Sequence, residues 1–237
     1  MGLTVPEKNL TEDHARQVRE MFAQISPRYD FLNRLLSLNI DKRWRRAVTR
    51  KLRPVVQESA QLLDVACGTG DLSIELFDNL RTQVIGLDFC RPMLTLAARK
   101  APEIIFIEGD ALRLPFADAS FDALTIAFGL RNLASVDAGL KELRRILKPG
   151  GWIAILEFSK PVAPGFRRLF DFYMRSVLPR VGAWFSGSRT AYKYLPDSVA
   201  RFLDQDQLVA MMRDAGFAQV TFENLTGGIA ALHTGQR

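Results

Sequence analysis

Two glycines and a distant carboxylate have the spacing of a nucleotide-type ligand site. The apolar run 62–66 leads into Gly68 and Gly70, and glycine lets a backbone turn tightly and approach a ligand closely. A helix that begins after such a turn presents free N–H groups and the positive end of its dipole. Asp88 follows Gly68 by twenty residues, where an acidic side chain in nucleotide-binding α/β folds accepts hydrogen bonds from ribose hydroxyls. The pattern predicts a site for a nucleoside-containing ligand.

The residues around the glycines distinguish two such ligands, a nicotinamide dinucleotide and S-adenosylmethionine. The dinucleotide fingerprint needs a third glycine or an alanine where this chain has Ser73. Asp71 would repel a pyrophosphate, whereas Asp64 and Asp71 are compatible with the cationic amino and sulfonium groups of S-adenosylmethionine. Asp110 follows the third apolar run, where it could accept a hydrogen bond from the adenine amino group. We predict an S-adenosylmethionine site, because glycines that only turn the chain and aspartates that only cap helices would leave this set unexplained.

Short apolar runs alternate with amphipathic stretches after residue 60, and this alternation predicts the elements that position the site. The runs are 62–66, 84–87, 104–107, 123–128 and 152–156. Two further strand candidates, 220–223 and 229–232, flank a hairpin turn at 226–228. We also expect a helix at 205–214 and a helix stop with a turn at 148–151. The fold class is a doubly wound, Rossmann-like α/β domain with a seven-stranded, mostly parallel sheet, helices on both faces and a C-terminal antiparallel hairpin.

The same pattern divides one domain, residues 1–237, into four segments. Apolar residues at helical spacing, Val18, Phe22 and Ile25, indicate a helical N-terminal cap over 1–58. The cofactor-binding core is expected over 59–159, a helical insertion facing substrate and membrane over 160–198, and a final helix and hairpin over 199–237.

The composition limits the classes of site and of partner. Two cysteines and two histidines without metal-ligand spacing predict no metal site, and a reduced, cytoplasmic location is expected. No apolar run approaches the length of a membrane span. The net charge of +6 is concentrated in residues 41–53 and 160–193, each with a net charge of +6. Two basic patches on an otherwise acidic chain indicate an acidic partner surface.

Several longer motifs resemble the ubiquinone/menaquinone biosynthesis C-methyltransferase family of the class I S-adenosylmethionine-dependent methyltransferases. They span nearly the whole chain in order, and the most specific is Phe-Gly-Leu-Arg-Asn after the fourth strand. They are Arg-Tyr-Asp-Phe-Leu-Asn (28–33), Leu-Asn-Ile-Asp-Lys-Arg-Trp-Arg (38–45), Ala-Phe-Gly-Leu-Arg-Asn (127–132), Leu-Glu-Phe-Ser-Lys-Pro (156–161), Tyr-Lys-Tyr-Leu-Pro-Asp-Ser (192–198) and Thr-Gly-Gly-Ile-Ala-Ala-Leu-His (226–233).

The resemblance implies methylation of a ring carbon of a polyprenylated quinol. The acceptor favoured is demethylmenaquinol, with 2-polyprenyl-6-methoxy-1,4-benzoquinol as the alternative. The cofactor residues implied by the motifs or by the glycine loop are Asp64, Gly68, Thr69, Gly70, Asp88, Asp110, Ala111 and Ala127. Two of them depart from the family pattern, because Ala127 stands where a serine can occur and Asp110 stands in place of an asparagine.

Catalytic roles follow from the chemistry of an aryl carbon, which is a poor nucleophile until a neighbouring hydroxyl loses its proton. Arg131 could stabilise the phenolate-like charge directly or hold an activating water, and Asn132 could bind a quinol oxygen. An alternative is that Arg131 forms a salt bridge that only orders its loop. The resemblance alone makes Tyr29, Asp30 and Tyr192 candidates for the base, and the tyrosines could equally be core aromatics.

Aromatic and basic residues interleave in the insertion, as in segments that lie at a membrane interface. They are Phe166, Phe170, Phe172, Tyr173, Trp184, Phe185, Arg167, Arg168, Arg175, Arg180 and Arg189. We expect peripheral association with an anionic membrane surface on the cytoplasmic side, and a homodimer is compatible with this interpretation. The alternatives are a solvated basic face, another methyl acceptor, a nicotinamide oxidoreductase and a nucleic-acid-binding module. We expect no nucleic acid, because that alternative leaves the acidic residues of the glycine site unexplained.

Overall fold

Seven strands form one sheet in this computed structural model, which describes residues 7–162, 164–177 and 189–237. The strands are β1 (Gln61–Val65), β2 (Gln83–Asp88), β3 (Ile105–Glu108), β4 (Phe121–Ala127), β5 (Leu147–Phe158), β6 (Ala218–Leu225) and β7 (Ala230–Gln236). Their order across the sheet is β3-β2-β1-β4-β5-β7-β6. The first five strands are parallel, and β7 is antiparallel to β5 and to β6. The predicted fold class is confirmed.

The helices flank the sheet and also build a separate group at its carboxyl edge. They are α1 (Glu7–Ile25), α2 (Tyr29–Ser37), α3 (Ile40–Leu52), α4 (Asp71–Leu80), α5 (Arg91–Lys100), α6 (Val136–Ile146), α7 (Pro164–Phe172), α8 (Arg189–Arg201) and α9 (Gln205–Asp214). Within the described residues, no helix combines the length and the apolarity needed to cross a bilayer. The helix expected at 205–214 is α9.

Alternation along the buried strands places apolar side chains on both faces of the sheet. In β1, Leu62 packs with α3 and α4, whereas Leu63 belongs to the core formed with α6 and α9. A third, smaller core joins α1, α2, α7 and α8. Its buried members are Met21, Ile25, Leu32, Phe170, Met174 and Val199. All of these residues except Val199 lie in the segments predicted as the N-terminal cap and the insertion, and the segment boundaries themselves remain predictions.

The strand order reverses at β1, which lies between β2 and β4. Because parallel strands end at the same edge, the loops after β1, β2 and β4 meet above this point. Asp88 ends β2 opposite Glu108 of β3, and Val65 ends β1 opposite Leu87. A reversal of strand order opens a crevice at the carboxyl edge, where open α/β sheets bind their ligands.

The turn expected at 148–151 is part of β5 in the structure. Leu147 pairs with Phe121, and the next partners in the register are Trp152 and Ala123, so the extra residues form a bulge. Gly150 has a φ of +80° there, a value that an L side chain rarely adopts. The turn residues therefore bend a strand instead of preceding it.

A buried histidine on β7 makes stability depend on pH. The His233 Nε2 lies 3.0 Å from the Gln205 carbonyl oxygen, and Nδ1 has no hydrogen-bond partner among the described residues. Burial lowers the pKa of His233, against a smaller opposing effect of that carbonyl and of Asp206. The folded state therefore binds this proton less readily than the unfolded state.

We expect the stability provided by a neutral His233 to be complete above the ordinary imidazole pKa and to be lost as the pH falls below about 6.5. The free energy of unfolding should then fall by up to about 1.4 kcal/mol per pH unit more in the wild type than in His233→Gln. Urea unfolding at pH 7.5, 6.5 and 5.5 measures this difference. Parallel pH dependence in the two proteins would contradict it.

Candidate active site

The glycine loop between β1 and α4 needs its two glycines for different reasons. Gly70 has a φ of +79°, and a Cβ there would lie 3.0 Å from Ala97 and from Phe106. Gly68 has a φ of +57°, but a Cβ there would meet nothing within 4 Å, because this residue faces a cavity. Gly70 thus allows α5 and β3 to pack against the loop, and Gly68 forms part of the ligand wall.

Asp88 is the carboxylate that the loop brings into this cavity. Its two oxygens accept hydrogen bonds of 2.8 Å from the backbone N–H groups of Gly68 and Cys90. Burial raises the pKa of Asp88 to about 6, although these N–H groups oppose the shift. The side chain is fixed in orientation and retains lone pairs that can accept hydrogen bonds from a ligand.

Asp64 lies beneath the loop and does not line the cavity. Its oxygens accept hydrogen bonds of 2.7 Å from the hydroxyls of Ser73 and Thr125. Burial raises its pKa to about 6. Ser73, the residue that departs from the dinucleotide fingerprint, therefore connects α4 to β1 and β4.

The rest of the first cavity is a mostly apolar slot that ends at a second carboxylate. Asp110 is held by a 2.9 Å hydrogen bond that its Oδ1 accepts from the Leu112 N–H. Ala111 and Ala127 also line the slot, as predicted cofactor residues would. The apolar walls come from Phe89, Met93, Leu112 and Leu133. A slot of this kind suits a flat heteroaromatic ring with a polar edge.

The N-terminal helices close one side of the same cavity. Ala15, Arg19 and Phe22 of α1 line it, together with Tyr29 at the start of α2. The Arg19 guanidinium carbon lies 5.4 Å from the centre of the Phe89 ring, which is a cation–π distance. A ligand in this cavity would contact both the sheet and the helical cap.

Four charged side chains, here called the ionic clasp, hold the cap to the glycine loop. Lys100 Nζ lies 2.9 Å from Asp30 and 2.6 Å from Asp71, and Arg45 lies 3.4 Å from Asp71. The pKa of Asp71 is lowered because its contacts with Lys100 and Arg45 outweigh the opposing effect of burial. The Asp71 carboxylate, which we expected to be compatible with a cationic ligand, is neutralised in the structure by protein cations.

Thr69 contributes to the same attachment. Its hydroxyl donates a short hydrogen bond to Asp30, and its side chain does not line the cavity. Asp30, a candidate base by resemblance, is therefore shared between Thr69 and Lys100. Among the predicted cofactor residues, the structure brings Gly68, Asp88, Asp110, Ala111 and Ala127 to the cavity wall and places Asp64, Thr69 and Gly70 behind it.

A second cavity of about 570 Å³ adjoins the first. The two share Phe22, Tyr29 and Phe128 in their walls. The apolar lining of the second cavity comes from α1, α2, α3, α7 and α8, the ends of β4 and β5, and the residues that follow α7 and precede β7. It includes Met21, Ile25, Trp44, Phe158, Phe166, Phe170, Met174, Leu195 and Ile229. Trp44, Phe128 and Phe158 form an aromatic cluster with ring centres 4.7–6.1 Å apart. A flat ring could bind against this cluster.

The loop at residues 128–132, here called the junction loop, separates the two cavities. Phe128 has a φ of +55°. A Cβ on Gly129 would lie 2.5 Å from the Ala66 Cβ, so glycine is needed for the loop to pack against the end of β1. The most specific motif of the sequence thus forms the boundary between the cavities.

Arg131 lies in the junction loop in a buried ion pair. Its Nη1 is 2.6 Å from Glu157 and also donates to the Phe128 carbonyl oxygen at 2.6 Å. The side chains of Arg131 and Glu157 are only 6% and 1% exposed. Burial raises the pKa of Glu157, against the opposing effect of Arg131. Arg131 lines the second cavity, and its Nε has no hydrogen-bond partner among the described residues.

Asn132 connects the junction loop to α8. Its Nδ2 donates to the Phe128 carbonyl oxygen at 3.2 Å, and its Oδ1 accepts a 3.0 Å hydrogen bond from the Tyr194 hydroxyl. Asn132 lines the first cavity and Tyr194 the second. The backbone of Tyr192 is in α8, but its side chain lies outside the described residues.

Sequence reasoning missed three polar residues of the site: Asp41 and Tyr194, which line the second cavity, and Glu157, which pairs with Arg131. A glutamate within the apolar run of β5 is a signal that could have identified Glu157, because a charge in a buried strand requires a partner. Tyr194 lies two residues from the tyrosine that was selected. Among the described residues, no group of His, Cys, Asp or Glu is placed to hold a metal ion.

Comparison with known proteins gives a consistent family and fold. The model of the ubiE/COQ5 methyltransferase family matches residues 9–237. A demethylmenaquinone methyltransferase of Deinococcus radiodurans is 47% identical over 231 residues, covering 95% of both chains. One of Thermus thermophilus is 48% identical over 223 residues, covering 92% of this chain and 100% of that one. A solved S-adenosylmethionine-dependent methyltransferase from Thermotoga maritima has a TM-score of 0.63 at 19% identity, covering 92% of this chain and 98% of that one.

Lys100→Met removes the cation that Asp30 and Asp71 share. The two carboxylates would then repel each other, and we expect faster amide hydrogen exchange in α1 and α2 than in the wild type, with the strands unchanged. Lys141→Met is the matched control, because it removes an exposed pair with Asp137 on α6. Wild-type exchange in α2 of Lys100→Met would show that the ionic clasp does not hold the cap.

Proposed function

The chain belongs to the ubiE/COQ5 methyltransferase family, and from this premise we propose that it transfers a methyl group from S-adenosylmethionine to a ring carbon of demethylmenaquinol. The observation that carries the proposal is the pair of adjoining cavities, one with carboxylates at its polar ends and one that is apolar and aromatic. They meet at Tyr29, Phe128 and Phe22, where a methyl group could pass between two bound ligands. The names of the Deinococcus and Thermus relatives favour a naphthoquinol over a benzoquinol.

The first cavity has the groups that S-adenosylmethionine requires. When bound, this co-substrate supplies an electrophilic methyl group on a sulfonium. Asp88 is positioned to accept hydrogen bonds from the ribose hydroxyls, and Asp110 from the adenine amino group. A nicotinamide dinucleotide fits the loop less well, because Ser73, whose hydroxyl is bound to Asp64, stands where the dinucleotide fingerprint needs a glycine or an alanine.

The second cavity can hold a quinol ring near the junction loop and direct a prenyl chain along its apolar walls. Arg131 lines this cavity, and Glu157 and Phe128 engage only its Nη1, so the rest of the guanidinium group could stabilise the developing phenolate charge. Burial raises the pKa of Tyr29, so its hydroxyl stays protonated at neutral pH and acts as a donor rather than a base. Positioned donors of this kind stabilise charge that appears only in the transition state.

Transfer of labelled methyl from S-adenosylmethionine to short-chain demethylmenaquinol under reducing conditions tests the proposal, with the corresponding benzoquinol in parallel. We expect the naphthoquinol to be methylated faster. Faster benzoquinol methylation would change the acceptor, and cofactor binding without transfer to either ring would overturn the proposed function.

Arg131→Lys keeps the charge near Glu157 but removes the guanidinium geometry and Nε. We expect turnover to fall roughly 10²-fold, in the range for loss of one transition-state donor, while the Kd for S-adenosylmethionine changes little. Arg131→Met is a harsher variant, because it leaves Glu157 buried without a partner. Turnover and Kd are measured separately, and wild-type turnover in Arg131→Lys would leave Arg131 with a purely structural role.

The raised pKa of Asp88 predicts a pH dependence of cofactor binding. Protonation removes the acceptor for the ribose hydroxyls, so the affinity for S-adenosylmethionine should fall as the pH drops through about 6. Isothermal titration between pH 7 and pH 5 measures this. Asp88→Asn should bind more weakly at pH 7 and show little dependence on pH. If the Kd of Asp88→Asn for S-adenosylmethionine depended on pH as steeply as that of the wild type, the titrating group would be another residue, such as Asp64.

We propose that the mouth of the second cavity binds an anionic membrane, from which a prenylated substrate would be taken. Leu38 and Phe172, which are 77% and 61% exposed, belong to the elements around it, and exposed cations such as Lys42, Arg43, Arg167 and Arg168 lie on the same elements. Trp184, Phe185 and Arg180, which we predicted to contribute, lie outside the described residues.

Sedimentation with anionic vesicles at low and high salt measures this association. We expect binding at low salt that weakens at high salt, because the attraction of basic residues is screened. Leu38→Ser with Phe172→Ser should bind less, whereas Ile105→Ser on β3 removes an equally exposed apolar residue at the far edge of the sheet. No binding of the wild type at low salt would refute membrane association.

A further inference from the structure

A single carboxylate lines the second cavity within the described part of the chain. It belongs to Asp41, the second residue of α3, and the residue is only 6% exposed. A buried carboxylate in a mostly apolar and aromatic cavity is costly unless it is well partnered. The contacts proposed above for the cofactor and the quinol give Asp41 no role.

Two neighbours hold the Asp41 carboxylate in place. The Ser37 hydroxyl donates to Oδ1 at 2.6 Å, and Arg45 Nη1 donates to Oδ2 at 2.8 Å. Each carboxylate oxygen can accept a second hydrogen bond, so both keep capacity for a ligand. The recorded partners are side chains and not the N–H groups of the first turn of α3, so the carboxylate is not serving as a helix cap.

The position of Asp41 is near the junction of the two cavities. Trp44, one turn further along α3, has its ring centre 5.8 Å from that of Phe128, which lines both cavities. Arg45 reaches Asp71, the first residue after the glycine loop. These contacts connect the first turns of α3 to the glycine loop and to the junction loop, the region where the quinol ring, rather than the tail, would meet the methyl donor.

Other groups at the second cavity are unsuited to accept a proton. Burial raises the pKa values of Tyr29, Tyr173 and Tyr194, so these phenols stay protonated. Arg131 is a cation. Glu157 is outside the lining and is paired with Arg131.

We propose that Asp41 is the general base that activates the quinol, an inference that rests on the proposed function. The carboxylate takes the proton of the hydroxyl next to the acceptor carbon. The electron pair released into the ring forms the new C–C bond to the methyl carbon, and the S–C bond breaks with its pair remaining on sulfur as a neutral thioether. The methylated carbon then loses its own proton to water, and the oxygen regains a proton from Asp41. One proton is released overall, and Asp41 returns to its anionic form.

Asp41→Asn tests this role, since it keeps the shape of the side chain and removes the base. We expect kcat to fall roughly 10²- to 10⁴-fold, the usual contribution of general base catalysis, with the Kd for S-adenosylmethionine within about threefold of the wild type. Asp41→His should recover part of kcat and show an acid limb in its pH profile near the ordinary imidazole pKa, roughly 6.5. A residue that only braces Arg45 would produce neither the recovery nor that limb.

Asp137→Asn is the matched control. Asp137 is also the second residue of its helix, α6, and also pairs with a cation four residues later, Lys141, but it lines neither cavity. We expect wild-type kcat from it. An Asp41→Asn protein that is folded and turns over within threefold of the wild type would overturn the role of Asp41 alone. A wild type that methylates no quinol would instead overturn the proposed function.

Discussion

The buried ion pair between Arg131 and Glu157 is the interaction on which the arrangement of the two cavities depends. Glu157 is fixed by the sheet, where β5 pairs with Ala231 of β7. A buried carboxylate needs its partner, and removal of one member of such a pair costs about 3–5 kcal/mol. The ion pair with Glu157 therefore fixes the position of the Arg131 guanidinium group. Because this group also donates to the Phe128 carbonyl oxygen, it fixes the junction loop. The positive φ of Phe128 and the close packing of Gly129 on Ala66 fit this one loop conformation.

The helical cap completes both cavities, so the two ligands do not bind to independent sites. Phe22 and Tyr29 are walls of the cofactor cavity and of the apolar cavity alike. The ionic clasp ties these helices to the loop after β1, and Arg45 continues it to Asp41. A change in the position of the cap would alter the polar contacts of one ligand and the apolar contacts of the other. This coupling follows from shared walls rather than from a separate regulatory element.

The sequence was sufficient to predict the framework but only part of the site. Alternating runs located the strands within a few residues, and the spacing of the glycines and Asp88 predicted that they meet at one cavity, because those signals are local. The bulge in β5 was not predicted. The sequence around Gly150 is typical of a turn, and only the pairing of Leu147 with Phe121 shows that these residues belong to the strand. Thr69 was predicted to bind the cofactor and Asp71 to be compatible with a cationic ligand, and in the structure Thr69 contacts Asp30 and Asp71 contacts Lys100, pairs that the sequence does not indicate. Asp41 became a candidate only when its place in a folded cavity was known.

In the proposed function, the junction presents the edge of a quinol ring, and not its oxygen, to the methyl donor. Nuclear magnetic resonance of the product formed from S-adenosylmethionine with a ¹³C-labelled methyl group tests this directly. We expect an aryl-methyl signal together with loss of the ring proton at the same carbon. A methoxy signal with the ring proton retained would contradict it, and would make the chain an O-methyltransferase built on the same two cavities.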